Sequence, residues 1–202
     1  MKLRKIFKDC RVVGLAGAKS SGKTNNIISL LKEIPKTKRD KVYYYGMAPS
    51  VSKYLASEGF QEFDSLKQLV GKTGCLFVID EFQKLHLNDR RNKHMLGMVI
   101  DFIYHNKNRL LLSSPSIRDF NTIIGGVVEK WILKTVLIDQ CVNGSQLKKI
   151  VTDYSGRYKQ LESIVVPVDE LLIINDEKQI IIHCDYVKEA DNKKNDGVND
   201  FF

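Results

Sequence analysis

The stretch Gly17-Ala18-Lys19-Ser20-Ser21-Gly22-Lys23-Thr24 follows the spacing G-x-x-x-x-G-K-[ST] and lies between two segments of different period. Before it, Arg11 to Ala16 carries Val12, Val13 and Leu15 and predicts a short buried strand. After it, Ile27, Ile28, Leu30, Leu31 and Ile34 recur at helical spacing until Pro35 ends the helix. A glycine-rich turn from strand to helix lets successive backbone N–H groups converge on phosphate oxygens, and the helix dipole there favours negative charge. In that setting the loop from Gly17 through Ala18, Lys19, Ser20, Ser21 and Gly22 forms the cradle. Lys23 reaches the β- and γ-phosphates, the Thr24 hydroxyl binds Mg2+, and Asn25 follows as a further nucleotide contact.

Working outward, Cys75-Leu76-Phe77-Val78-Ile79 is a continuous apolar run ending in Asp80-Glu81, the pattern of a central parallel strand buried on both faces. Asp80 is placed to hold magnesium opposite Thr24, and Glu81 to polarise the water that attacks the γ-phosphate. The next apolar strand, Arg109 to Leu112, ends in Ser113 and Ser114, and Ser114 or else Ser113 is a candidate for the polar group sensing the γ-phosphate. Ser114 and Ser113 also suit the capping of a helix beginning near Ser116. Arg90, Arg91 and Arg118 are candidates for stabilising phosphate charge, with Arg91 the chosen one. Taken singly, each is better read as a solvated surface arginine.

The remaining segments alternate. Lys41 to Tyr45 predicts a strand, Pro49 to Ser57 and Ser65 to Val70 short helices, and Asp89 to Asn106 a helix with Met95, Val99, Phe102 and Ile103 on one face. Further on, Ile117 to Ile124 and Gln140 to Asp153 predict helices, and Glu129 to Leu137 a strand. Glu170 to Asn175 and Gln179 to Cys184 predict a C-terminal β-hairpin. Strand–helix alternation of this kind implies one α/β domain with a mostly parallel sheet, over residues 1–187, followed by a mobile tail at 188–202.

Composition sets the bounds. With 43% hydrophobic and 28% charged residues, the 202-residue chain reads as a soluble globular protein, cytoplasmic or carried in a particle, without a membrane-spanning run. The four cysteines form no CxxC pair, and the four histidines show no metal-ligand spacing. A net charge of +8 permits a polyanionic partner such as double-stranded DNA. Lys2 to Arg11, Lys36 to Lys41 and Asp89 to Lys93 are the basic tracts that could meet it.

Together GAKSSGKT (17–24), CLFVIDEF (75–82), RLLLSSPS (109–116) and DQCVNGSQLKKIVTDYSG (139–156) resemble small FtsK–HerA-type P-loop ATPases. The style is similar to genome-packaging ATPases of membrane-containing icosahedral viruses and archaeal mobile elements. The resemblance runs over residues 11–187. It implies a RecA-like core with sheet order 5-1-4-3-2, ATP and Mg2+ as cofactors, and a homo-oligomeric ring (pentamer or hexamer) that translocates double-stranded DNA, alone or docked to capsid vertex proteins. That family often has glutamine after its fourth strand, where this chain has Ser113-Ser114-Pro115.

Two other readings stay open. Asp80-Glu81-Phe82-Gln83 is similar to the corresponding segment of thymidine kinases, but their zinc-binding paired cysteines are missing here. Lys19, two residues after Gly17, matches the extra lysine of P-loop switches that use nucleotide for assembly or partitioning rather than movement.

Overall fold

The computed structural model describes residues 2–85, 90–117, 119–120, 127–137, 159–160, 163–174, 179–185 and 187. In chain order these form α1 (Lys2–Ile6), β1 (Val12–Ala16), α2 (Lys23–Lys32), β2 (Val42–Tyr45), α3 (Pro49–Ser57) and β3 (Gln61–Glu62). They continue with β4 (Leu76–Ile79), α4 (Arg90–His105), β5 (Arg109–Ser114), β6 (Lys130–Leu133) and β7 (Val136–Leu137). The last strands are β8 (Lys159–Gln160), β9 (Ser163–Ile164), β10 (Glu170–Ile174) and β11 (Gln179–His183). Short 3-10 turns occupy Lys36–Lys41, Leu66–Leu69 and Phe82–Leu85.

Eight strands form the main sheet in the order β11-β10-β6-β1-β5-β4-β2-β3. Its centre, β6-β1-β5-β4-β2, is parallel throughout and reproduces the expected order 5-1-4-3-2. β3 adds a two-residue parallel edge, while β10 and β11 add an antiparallel pair at the other side, the expected C-terminal hairpin. A three-stranded antiparallel sheet, β7-β9-β8, stands apart.

All five residues of β1 are buried, as a strand covered on both faces requires. Alternation sorts the core into two layers. Val13, Leu15, Tyr44, Val78, Leu111 and Ile132 face α2, α3 and α1. Val12, Ala16, Phe77, Ile79, Leu110 and Leu112 face α4 through Leu96, Val99 and Ile103.

Several expectations change. β5 extends two residues beyond Leu112, because Ser113 and Ser114 pair with Leu15 and Ala16. The strand expected over Glu129 to Leu137 breaks after Leu133, where Lys134 donates its N–H to Ala16 and the chain turns toward the 17–24 loop. Phe102, expected on the packed face of its helix, is 37% exposed. Arg39, in one of the basic tracts, is instead buried in an ion pair with Glu58. The helix expected over 140–153, most of that over 117–124, the residue Arg118 and the 188–202 tail lie outside the described residues.

Candidate nucleotide site

The loop leaves β1 at the carboxyl edge of the sheet and enters α2 through Gly22, which has φ 86°. That left-handed value favours glycine, and a Cβ at Gly22 would also lie 2.7 Å from a Val168 methyl. At Gly17 the constraint is approach rather than φ: a Cβ would lie 2.5 Å from Cβ of Lys134. No side chain caps α2, so the N–H groups of its first turn stay directed at the loop's mouth. The Ser21 hydroxyl is buried and without a protein partner. Lys23 is buried too, its ammonium donating to the carbonyls of Gly17 (2.6 Å) and Ala18 (3.0 Å). An enclosed hydroxyl, a folded-back ammonium and uncapped amides fit a phosphate chain.

Neighbouring strands bring the acidic pair to this loop. The Thr24 hydroxyl donates to Asp80 Oδ2 at 2.8 Å, so the two oxygen donors suited to magnesium already touch. Ser113 lies in register beside Asp80, donates to its Oδ1, and accepts the Glu81 N–H at 3.0 Å. Burial pushes the Asp80 carboxyl above the usual range, against hydrogen bonds from Ser113 and Thr24 that pull it down. Burial also lowers the Lys23 ammonium, opposed by the charges of Asp80 and Glu81.

Glu81 takes φ 48°, a strained value for a residue with a side chain. The next residue, Phe82, is fully buried against Phe120, which in turn packs edge-on to Trp131. This aromatic stack holds the turn that sets Glu81. Its carboxylate pairs with Lys84 at 2.7 Å, and Lys84 also donates to the Gly46 carbonyl at 3.2 Å.

Other expected residues fall elsewhere. Ser114 points to the opposite face of the sheet from Ser113 and donates to Asp119, so Ser113 rather than Ser114 adjoins Asp80. The Asn25 side chain is turned into the fold, bonded to Asp185 O (3.4 Å) and the Val187 N–H (2.7 Å). Lys19 and Ser20 are exposed. Arg91 lies in α4, and its side chain is outside the described residues.

No family model matches the sequence, and neither does any curated protein. Solved structures do match. The genome packaging NTPase B204 from Sulfolobus turreted icosahedral virus 2, in complex with AMP, superposes with TM-score 0.56 at 14% identity, over 90% of this chain and all of that one. The same protein in complex with ATP-gammaS gives TM-score 0.53 at 15% identity, over 90% of this chain. The cytoplasmic domain of the type VII secretion ATPase EccC from Thermomonospora curvata gives TM-score 0.60 at 8% identity, over 90% of this chain and 24% of that one.

The fold is that of the P-loop ATPases.

Within that P-loop fold, sequence reading passed over Lys134. It is fully buried beside Gly17, and its ammonium donates to the carbonyls of Pro167, Val168 (3.1 Å) and Glu170 (2.5 Å). Its signal in the sequence is a lone cation closing the apolar strand Trp131-Ile132-Leu133. Burial brings its pKa down to about 8.

Proposed function

We propose that the chain is a magnesium-dependent ATPase that couples hydrolysis to the movement of double-stranded DNA, as a genome-packaging motor. The observation that carries the ATPase reading is the meeting of Lys23, the bonded pair Thr24–Asp80, Ser113 and Glu81 at one edge of the sheet. Lys23 exchanges its two loop carbonyls for phosphate oxygens, and the P-loop amides and Ser21 hydroxyl complete the cradle. Thr24 and Asp80 would hold magnesium, which when bound neutralises charge on the phosphate oxygens. Glu81 accepts a proton from the water that attacks the γ-phosphorus as the bond to the β-phosphate oxygen breaks, giving ADP and phosphate. Ser113 fixes both acids, holding the side chain of Asp80 and the backbone of Glu81.

Ser113→Ala is therefore expected to slow steady-state phosphate release by roughly tenfold, the equivalent of one or two hydrogen bonds. Ser114→Ala, on the far face, is expected to stay within about twofold by the same scale. The reverse ranking would return the sensing role to Ser114.

The motor reading is supported by the likeness of fold to a virus packaging NTPase and by the +8 charge, which suits a DNA backbone. It carries with it a homo-oligomeric ring of five or six copies, a place in the host cytoplasm or the virion, and docking to capsid vertex proteins. Among the described residues no helix is long and apolar enough to cross a membrane. Long double-stranded DNA is expected to stimulate ATP hydrolysis at modest salt, and the stimulation is expected to fade at high salt as counterions compete. Hydrolysis indifferent to DNA at both salts would favour an assembly switch over a motor.

A further inference from the structure

At the amino edge of the parallel strands, the end away from the 17–24 loop, a cleft of about 310 Å³ opens. It lies between the turn after α1, the end of α4 and the starts of β5 and β6. Val12 pairs with Leu110, so Arg11 and Arg109, each one position earlier, stand side by side. Both line the cleft, together with Asp9, Tyr104 and Glu129.

Its charges are unequally engaged. One carboxylate oxygen of Glu129 accepts the N–H groups of Arg11 (2.6 Å) and Val12 (2.8 Å), and the same side chain bonds the Tyr104 hydroxyl, so Glu129 fastens the sheet edge. The guanidiniums are spare. That of Arg11 reaches only the Asn108 carbonyl, at 3.5 Å. That of Arg109 lies 5.9 Å from the Phe7 ring and has no hydrogen bond or ion pair among the described residues. Asp9 is an exposed carboxylate at the rim.

The cations continue along the edge. Lys107 precedes β5, Lys72 lies before β4 with its carbonyl held by the Asn108 amide at 2.8 Å, and Lys41 precedes β2. Lys107 is exposed and takes φ 55° at the end of α4, a left-handed position where glycine would be less strained. Adjacent strands are about 4.8 Å apart, so these side chains form a line across β1, β5, β4 and β2. A line of cations matches a repeating anion, and paired guanidiniums suit phosphate oxygens.

We propose that this amino edge, with Arg11 and Arg109 at its centre, holds the phosphodiester backbone of double-stranded DNA. The inference rests on the DNA reading above and assigns the surface that makes the contact, at the opposite end of the strands from the nucleotide loop. Contacts to the backbone carry no sequence preference of their own.

The test is the affinity of the full chain for a fluorescently labelled duplex, read by anisotropy over a range of salt without nucleotide. The double variant Arg11→Gln, Arg109→Gln is expected to bind at least about tenfold more weakly at modest salt and to lower the salt slope by about two. Lys107→Gly is expected to weaken binding roughly threefold while keeping or raising the denaturant midpoint, so that its loss cannot come from unfolding. Asp9→Asn is expected to tighten binding about threefold by removing the rim carboxylate. Unchanged affinity and slope in the double variant would overturn the proposal alone, whereas a wild-type chain that binds no duplex would overturn it together with the motor reading. Two further results would also overturn it, each with duplex affinity kept in the double variant. Loss of calorimetric binding of inorganic phosphate would make the cleft a small-anion site, and loss of self-association would make it a contact between copies.

Discussion

Glu81→Gln is expected to bind ATP as tightly as the wild type while hydrolysing it at least a hundredfold more slowly, the low end for loss of a positioned proton acceptor. The substitution isolates chemistry from geometry. The backbone at φ 48° is held by the Ser113 hydroxyl and the buried Phe82, neither of which the change touches. A glutamine oxygen can still accept from Lys84, which now sits 2.7 Å from the carboxylate. Shape and contacts persist, and basicity alone is lost. Single-turnover hydrolysis beside equilibrium nucleotide binding separates the two quantities, and turnover within tenfold of wild type would exclude Glu81 as the base.

What could be read from sequence was what is local. The loop from Gly17 to Thr24 and the run ending in Asp80-Glu81 announce themselves by spacing and by apolar context. The order of the five central strands came from the resemblance and agrees with the sheet. The choice between Ser113 and Ser114 was beyond reach, because it depends on how β5 registers against β1 and β4, and one residue of register exchanges the two faces. The partnership of Lys134 with a turn more than thirty positions later leaves no periodic trace. Elements as short as α1 and β3 fall below the length at which period is detectable. Phe102 followed the helical pattern and was nonetheless left partly exposed, since the inner stripe of α4 is filled by Leu96, Val99 and Ile103.

Lys134 gives the second large effect. Lys134→Met keeps the length of the side chain and removes the donor to three carbonyls, two of which retain a partner in Asn26 or in the turn itself. The variant is expected to lose about 2 to 4 kcal/mol at pH 7, the scale of buried acceptors left unsatisfied. The pH dependence has a definite sign. The folded pKa of Lys134 is near 8 and its ordinary value is 10.5, so between these limits the unfolded chain binds the extra proton. Wild-type stability therefore rises through that window relative to the variant, by an amount on the order of 3 kcal/mol for a full shift of this size. Denaturant midpoints of both proteins at pH 7.5, 9 and 10 measure it. A gap that narrows as pH rises would mean that the fold raises the pKa of this ammonium instead of lowering it.

The strand order has a bearing on how the chain is made. β1 leads into the loop 17–24, yet its two neighbours in the sheet are β5 and β6, both encoded more than ninety positions later. A ribosome that has released α2, β2 and α3 has delivered nothing for β1 to pair with, and Val12 to Ala16 waits as a bare apolar edge. Chains interrupted before Leu112 are therefore expected to expose that edge, however complete their motif. The centre of the sheet closes only when β5 and β6, from the second half of the polypeptide, take their places on either side of the first strand.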